Sequence, residues 1–533
     1  MPGTRHHRKE TGMSYWVTPE EMAGYDRQTI ARGTPGDVLM ERAGSFAARI
    51  AIRMLDPSAG YVEVWVGPGN NGGDGLVLAR HMEMSGYDVR VVLAVENESK
   101  ISENCLRNLN RFVEAGGDTI GSSRIEELEE TPPALCVDAL LGTGFHGRLK
   151  GRIAACVEVL RQRNCPVLAI DTPTGVSGET GEADPMTPGA SVTVTFAAPK
   201  IGLLLPPGCG YAGAVIVAPI GITVPGSPDR AVLDVSAASE LLPSRPASSH
   251  KGTFGKVLLL GGSEMMPGAP QLMTLGALRT GVGLVTLYVP YPVSPSVSGN
   301  IPEALSHYFI PGDVTSLPDP TPYDAAAVGP GLGNSDETWR VVRHVLGNWN
   351  LPLVLDADAL NVLSGKTEMV KQYQAPILLT PHPGELGRLC EDDSVTGMEP
   401  RERWQVARRL ANSVGASVLL KGRPTVVISP RGAMTLIPTG NPGLATGGSG
   451  DVLTGMAGSF LAQGLSAEKA GVISAFLHGL SADILATETS ERAILPSDVA
   501  ATMGRTLMFV ETTREQNLLR LEGSWNDRLW NIP

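Results

Sequence analysis

The chain has 533 residues, more than one hydrophobic core organises, so two or three domains are expected. Its 42% hydrophobic and 18% charged residues describe a globular protein, and a net charge of -12 argues against nucleic acid as the main partner. No uninterrupted apolar run reaches the roughly 18 residues of a membrane span, and the basic start lacks the apolar stretch of a secretory signal. The expectation is a cytoplasmic protein with no membrane partner. Six cysteines (105, 136, 156, 165, 209 and 390) form no CxxC pair and no zinc spacing, so reduced thiols are expected.

Residues 1–12 match no element pattern and read as a disordered extension. The first strand–turn–helix series starts with a strand at Tyr61–Val66, a loop at Gly67–Gly75 and a helix at Leu76–Met84. A strand at Val89–Val95 follows, ending at Glu96, and further buried strands are expected at Ala134–Val137 and Val167–Ile170. Short apolar runs alternating with helical patterns predict a parallel sheet covered on both faces. Proline- and serine-rich residues 226–247 read as a linker between domains at 13–225 and 248–505. The second series begins at Lys256–Leu260 and continues through Leu284–Val289, Ala325–Val328, Leu353–Leu355 and Ile377–Leu379. It goes on through Val418–Leu420, Val426–Ile428 and Met434–Ile437, and a glycine loop with a small-residue helix closes it. Residues 506–533, with Trp525 and Trp530, read as a tail of no assigned role.

In the first series Gly67–Gly72 formally satisfies G-x-G-x-x-G. Pro68 stiffens that turn, and Gly73-Asp74-Gly75 follows, so side-chain amides and a carboxylate stand where a pyrophosphate normally meets bare backbone amides. Alone, the stretch fits equally a tight turn with Asp74 capping the helix. Two more strands end at Asp138 and Asp171, each followed by a glycine-flanked turn. In an open parallel sheet all three turns converge beyond the carboxyl ends of the strands. Asn71, Asp138 and Thr174 offer hard oxygen ligands for an alkali or alkaline-earth cation, which leaves Asp171 as a candidate acid/base.

The stretches GPGNNGGDG, DALLGTGFHG and DTPTGVSG, with Thr18–Asp26 and Leu39–Gly44, resemble the NAD(P)H-hydrate epimerase family over about residues 14–220. The resemblance implies that Asn70, Asn71, Gly72, Gly73 and Asp74, with Gly142, Thr143, Gly144, Phe145, His146, Gly147 and Arg148, hold the hydrated nicotinamide nucleotide. It also implies potassium on Asn71, Asp138 and Thr174, with Asp171 touching substrate. Thr174 stands where the family usually shows Ser, and the hydroxyl is retained. Interconverting R and S hydrates breaks and re-forms a C–O bond, work a carboxylate and a cation can share.

In the second series TGGSGDVLTG, Thr446–Gly455, lacks the lysine of a P-loop. It offers backbone amides at a helix N-terminus, with Asp451 at their mouth. Alone, Asp451 fits an N-cap. Other turns follow strands at Gly329–Gly333, Asp356–Asn361, Thr380–Glu385 and Lys421–Thr425, the last bringing cations suited to phosphate. The pattern resembles the ribokinase-like superfamily, in which the Asp of G-x-G-D activates a substrate hydroxyl. With SHKGTFG, GPGLG, LDADALN and TPHPGE it resembles the NAD(P)H-hydrate dehydratase family over about 240–505.

That second resemblance implies Asp451 as base and His382, Ala269, Gly331 and Gly333 at the hydrate. Lys421, Gly422, Arg423, Pro424 and Thr425, with Gly447, Gly448, Ser449 and Gly450, would hold ADP or ATP, with Mg2+. Together the resemblances imply an α/β protein of two domains, an N-terminal Rossmann-like three-layer α/β/α domain and a C-terminal ribokinase-like α/β domain. They imply a bifunctional enzyme that epimerises hydrates and dehydrates the S form through a phosphorylated C6 hydroxyl, and a homo-oligomer is expected. The alternative is a small-molecule kinase of the ribokinase class fused to a non-catalytic nucleotide-binding module.

Overall fold

The computed structural model describes residues 14–55, 60–95, 101–128 and 131–519. The chain divides into two compact units, one of Ser14–Gly226 and one that begins at Ser227. Residues 1–12, Glu96, Trp525 and Trp530 lie outside the described residues.

The N-terminal unit is built on β1 (Val62–Val66), β2 (Val89–Leu93), β3 (Asp118–Gly121), β4 (Leu135–Ala139), β5 (Val167–Ile170), β6 (Val192–Phe196) and β7 (Ala214–Ala218). All pairings are parallel, in the order β3-β2-β1-β4-β5-β6-β7. Chain order reverses between β1 and β4, which opens a crevice beyond their carboxyl ends. There the following turns press together, since a Cβ at Gly67 would overlap the Leu140 carbonyl oxygen.

Helices α1 (Gly36–Met54), α2 (Asn70–Met84) and α3 (Gly151–Gln162) pack on this sheet. The expected loop at Gly67–Gly75 is shorter than predicted, because α2 starts at Asn70. Two asparagines and three glycines are weak helix formers, and packing overrides that weakness. Gly72 and Gly75 let the first turns lie against the Gly67 carbonyl and the Ala139 methyl, where any Cβ would collide. The N-cap is Gly69 and makes no side-chain cap, so Asp74 is not the cap that the sequence allowed. Strand β4 runs through Asp138 instead of stopping at Val137, and β2 stops at Leu93.

The C-terminal unit contains β8 (Ala231–Val232), β9 (Lys256–Leu260), β10 (Leu284–Pro290), β11 (Leu305–Phe309) and β12 (Ala325–Val328). It continues with β13 (Leu353–Leu355), β14 (Ile377–Leu379), β15 (Ser417–Leu420), β16 (Thr425–Ile428) and β17 (Met434–Ile437). The order is β8-β17-β16-β15-β14-β13-β12-β9-β10-β11, parallel except for the two antiparallel pairings that β16 makes. Here the switch point lies between β9 and β12, where the Gly262 amide donates to the Pro330 carbonyl at 2.9 Å.

Helices α4 (Gly268–Arg279), α5 (Asp336–Asn348), α6 (Pro383–Cys390), α7 (Ser449–Ala462), α8 (Ala467–Ala486) and α9 (Pro496–Leu519) complete the unit. Helices α4 and α7 meet backbone to backbone. A Cβ at Gly276 would overlap the Val452 carbonyl oxygen, and one at Gly455 the Met273 carbonyl oxygen. Helix α8 is, by length and composition, apolar enough to cross a membrane, which an uninterrupted-run reading misses. Within the fold 78% of its apolar window is buried, as befits a core helix.

Residues 226–247, expected as a linker, include β8 and a short helix at Val235–Leu241. Leu233, Ala237, Ala238 and Leu242 sit in the apolar core. The tail expected from 506 begins inside α9, with Val510 buried and the Thr506 and Ser481 hydroxyl oxygens 2.8 Å apart.

Candidate active sites

In the N-terminal unit, the turns after β1, β4 and β5 bring the predicted oxygen donors together. Asp138 is fully buried. Its carboxylate accepts from the Thr174 amide at 2.8 Å, the Thr174 hydroxyl at 2.6 Å and the Leu140 amide at 3.3 Å. These are neutral donors, and burial raises the Asp138 pKa although the Thr174 bonds oppose it. The Thr174 hydroxyl also accepts from the Leu141 amide at 3.0 Å. The next residue, Gly142, packs on Asn71, where a Cβ would stand 3.2 Å from the amide carbon. Both polar atoms of the Asn71 side chain are buried without a hydrogen-bond partner. A buried amide left orphaned beside a buried carboxylate is costly unless something fills the gap.

Asp171 lies one residue beyond β5 with φ of 63°, the left-handed region. Its carboxylate accepts from Lys200 Nζ at 2.5 Å, the Thr195 hydroxyl at 3.1 Å and the Phe196 amide at 3.4 Å. Lys200 is 1% exposed and also donates to Thr195 Oγ1 and the Phe196 carbonyl. Asp74 faces the same pair. Burial raises its carboxyl well above the usual range, Asp171 adds to this and Lys200 opposes it. In the same first turn the Asn70 side-chain oxygen accepts from the Ser102 hydroxyl. Gly72 and Gly73 are buried where α2 packs, and Gly73 leaves room for the Met40 thioether.

The turn after β4 presents Thr143, Gly144, His146, Gly147 and Arg148 around buried Phe145. Arg148 reaches Asp184 at 3.7 Å. Sequence reasoning missed Lys200. Its signal was a lysine just beyond a strand end, but β6 itself had not been recognised.

In the C-terminal unit the corresponding turns converge on Asp356, Lys421 and Asp451. Asp356 is 1% exposed and accepts from Lys421 Nζ at 2.5 Å and from the Thr454 hydroxyl at 2.5 Å. Lys421 Nζ also closes on Gly450, where a Cβ would stand 3.2 Å away. The N-cap of α7 is Gly448, φ 99°, so Asp451 sits in the first turn and is not the cap. Burial, and then the Asp356 charge, push the Asp451 pKa up to about 7, against the pull of Lys421. His382 caps α6, accepting from the Gly384 amide at 3.0 Å, while the Glu385 carboxylate accepts from the His382 amide at 2.8 Å. Burial, then Lys421 and Arg388, keep the imidazole pKa low.

Gly331 lies against Ala269, and the Gly333 amide donates to Asp358 at 2.8 Å. Gly422 and Arg423 are exposed, Pro424 is buried, and the Thr425 hydroxyl donates to the Gly422 carbonyl at 2.9 Å. Gly447 is exposed, whereas Ser449 is buried. Behind Ser449, buried His478 is pushed down to about 4 and stays neutral. Thr454 was also missed in the sequence. It carries no motif of its own and becomes visible only because one helical turn places it over Asp356.

Two strand-end crevices therefore define a pair of α/β sites, one in each unit. Residues 36–202 match a family described as YjeF-related protein N-terminus, and residues 257–505 match the NAD(P)H-hydrate dehydratase family. The chain is 36% identical over 509 residues to the bifunctional NAD(P)H-hydrate repair enzyme Nnr of Moorella thermoacetica, covering 91% of this chain and 95% of that protein. It is 33% identical to the Escherichia coli enzyme of the same name, covering 88% of each. Among solved structures, the ADP/ATP-dependent NAD(P)H-hydrate dehydratase of Bacillus subtilis, co-crystallised with ATP/Mg2+, is 33% identical. It covers 52% of this chain and 98% of that chain, with a TM-score of 0.48.

The chain belongs to the bifunctional NAD(P)H-hydrate repair enzyme family, with an epimerase-type N-terminal domain and a dehydratase-type C-terminal domain. The relatives match both halves under one name, which does not favour a kinase fused to a non-catalytic module.

Proposed function

We propose that Asp171 and Asp451 are the acid/base groups of the two activities, each at the reacting C6 oxygen of a hydrated nicotinamide ring. The observation that carries this reading is the placement of Asp451, in the first turn of α7 beside the Lys421–Asp356 pair, with a pKa of about 7. Such a carboxylate is poised to accept a proton near neutral pH. As the phosphoryl group of ATP or ADP reaches the C6 hydroxyl, Asp451 takes its proton. Lys421 and the amides of Gly447–Gly450 hold the phosphates. Loss of phosphate from C6 and of a proton from C5 then restores the C5=C6 double bond of NAD(P)H. His382, Ala269, Gly331 and Gly333 position the hydrate, and Gly422–Thr425 position the nucleotide.

Mg2+ is bound through few protein ligands together with substrate phosphates, and Asp356 and Asp358, the carboxylates that act on Asp451, are the oxygen donors nearest that site. When bound it would neutralise the charge of the transferring group. In the N-terminal site the orphaned Asn71 amide, the Thr174 hydroxyl and the buried Asp138 carboxylate fit a potassium ion. When bound it would offset the Asp138 charge and organise oxygen atoms near the ring. Asn70–Asp74 and Gly142–Arg148 line the hydrate, and Asp171, held by Lys200, moves the proton as the C6–O bond breaks and re-forms.

Membership of the repair-enzyme family supports NAD(P)H hydrates and adenine nucleotide as partners, and the net charge of -12 argues against nucleic acid. A cytoplasmic homo-oligomer is the corresponding expectation, checked by fractionation and sedimentation. The decisive assay offers mixed R and S NADHX with ATP or ADP and follows NADH absorbance. Full recovery is expected. A stop once the S form is consumed removes the epimerase assignment, and no recovery removes the dehydratase assignment. Replacing potassium with an organic cation should slow only the epimerisation phase.

A further inference from the structure

Two of the six cysteines meet each other, and neither is among the residues assigned to the two sites. Cys136 is on β4, fully buried, and Cys165 is half-buried in the turn between α3 and β5. Their sulfurs are 3.4 Å apart, and the Cys136 amide donates to the neighbouring Pro166 carbonyl at 3.0 Å, which ties turn to strand. None of the other four cysteines has a sulfur partner among the described residues. Two charges flank the pair. Buried Glu63 accepts from Arg163 Nε at 2.9 Å, and its other oxygen meets Arg163 Nη2. The Cys136 sulfur lies 3.8 Å from Glu63 Oε2.

We propose that Cys136 and Cys165 form an oxidation site that peroxides close to an intramolecular disulfide. The half-exposed sulfur is the one a small oxidant reaches, so Cys165 attacks first. Its thiolate bonds to one peroxide oxygen, the O–O bond breaks, and the second oxygen leaves as hydroxide and takes up a proton to become water. The Cys165 sulfenic acid is then attacked by Cys136. The S–S bond forms, the S–O bond breaks, and the Cys136 proton departs with that oxygen as a second water. Two thiols are oxidised and one peroxide is reduced, so electrons balance. Closing the 3.4 Å gap to the disulfide length of about 2.05 Å moves the turn residue, Cys165, rather than the strand residue. Expecting reduced thiols from composition remains right for a reducing compartment, where this link would be transient.

The test treats the full chain with stoichiometric hydrogen peroxide, blocks free thiols with N-ethylmaleimide and digests without reductant. The expected product is a linked peptide pair joining Cys136 to Cys165, lost on adding dithiothreitol, with the other four cysteines alkylated. In Cys136→Ser, dimedone should trap a sulfenic acid at Cys165. In Cys165→Ser, Cys136 should stay unreacted. Alkylation of both Cys136 and Cys165 in the peroxide-treated wild type, or linkage through any other cysteine, overturns the proposal. The wild-type measurement needs no variant to fold.

Discussion

Asp171 takes a buried ammonium at 2.5 Å, whereas the ammonium nearest Asp451 is already bonded to Asp356 at the same distance. The same residue type is thus partnered in two ways. In the N-terminal unit the lysine bonds Asp171 directly, and Thr195 and a backbone amide add hydrogen bonds. In the C-terminal unit a second carboxylate intervenes and holds the lysine, and burial, then that carboxylate's charge, lift Asp451. The difference teaches how a buried lysine can serve one carboxylate as its own partner and another only through a second acid.

The largest effect expected is from Asp451→Asn. Dehydration should fall on the order of a thousandfold, within the range for losing a general base, while calorimetry still shows ATP binding and R-to-S exchange is untouched. Retained dehydration would break the comparison at its C-terminal arm. Asp171→Asn should slow epimerisation on the order of a hundredfold and leave S-hydrate dehydration at the wild-type rate, read by chiral chromatography of the remaining hydrates. Next comes Lys200→Met. It strands Asp171 without its ammonium, so epimerisation should fall about tenfold and the N-terminal unit should lose about 3 kcal/mol in urea unfolding. An unchanged epimerisation rate would show that the ion pair is a fold element alone.

The smallest expected change is a pH shift. Dehydration should decline as pH falls through about 7, because protonated Asp451 cannot accept the hydroxyl proton. Asp356→Asn removes the like charge and frees Lys421, and both changes favour the ionised form. The acid limb should therefore move to lower pH. A limb that stays in place would locate the tuning elsewhere than in Asp356.

Much of this was legible in the chain because glycine-rich strand ends leave a chemical signature. Gly67–Gly75, Gly329–Gly333 and Thr446–Gly455 could be read directly, and so could the continuous apolar runs of β5 and β12. Strands β3, β6, β7, β8 and β11 were not found. In β6, Thr193 and Thr195 alternate with valine although every residue is buried, so polar letters disguise an interior strand. In β11, an edge strand reading LSHYF, four of the five residues keep some exposure, which erases the periodic signal. The start of α2 was misplaced for a related reason: asparagine and glycine are chosen there for fit against β1 and β4, not for helix propensity. Lys200 and Thr454 were missed because their meaning lies in a distant partner, Asp171 or Asp356, that only topology supplies.

The contact between α4 and α7 has a further consequence for temperature. Where Gly276 meets Val452 and Gly455 meets Met273, main chain rests on main chain with no side chain between them. Such a junction has no rotamers to populate as heat is added, so its order costs no side-chain entropy and does not soften gradually. Helix α7 carries Asp451 and the amides proposed to hold phosphate at one end of this junction. The catalytic geometry should therefore hold its shape up to cooperative unfolding of the unit, and dehydration should then be lost abruptly rather than by slow decline.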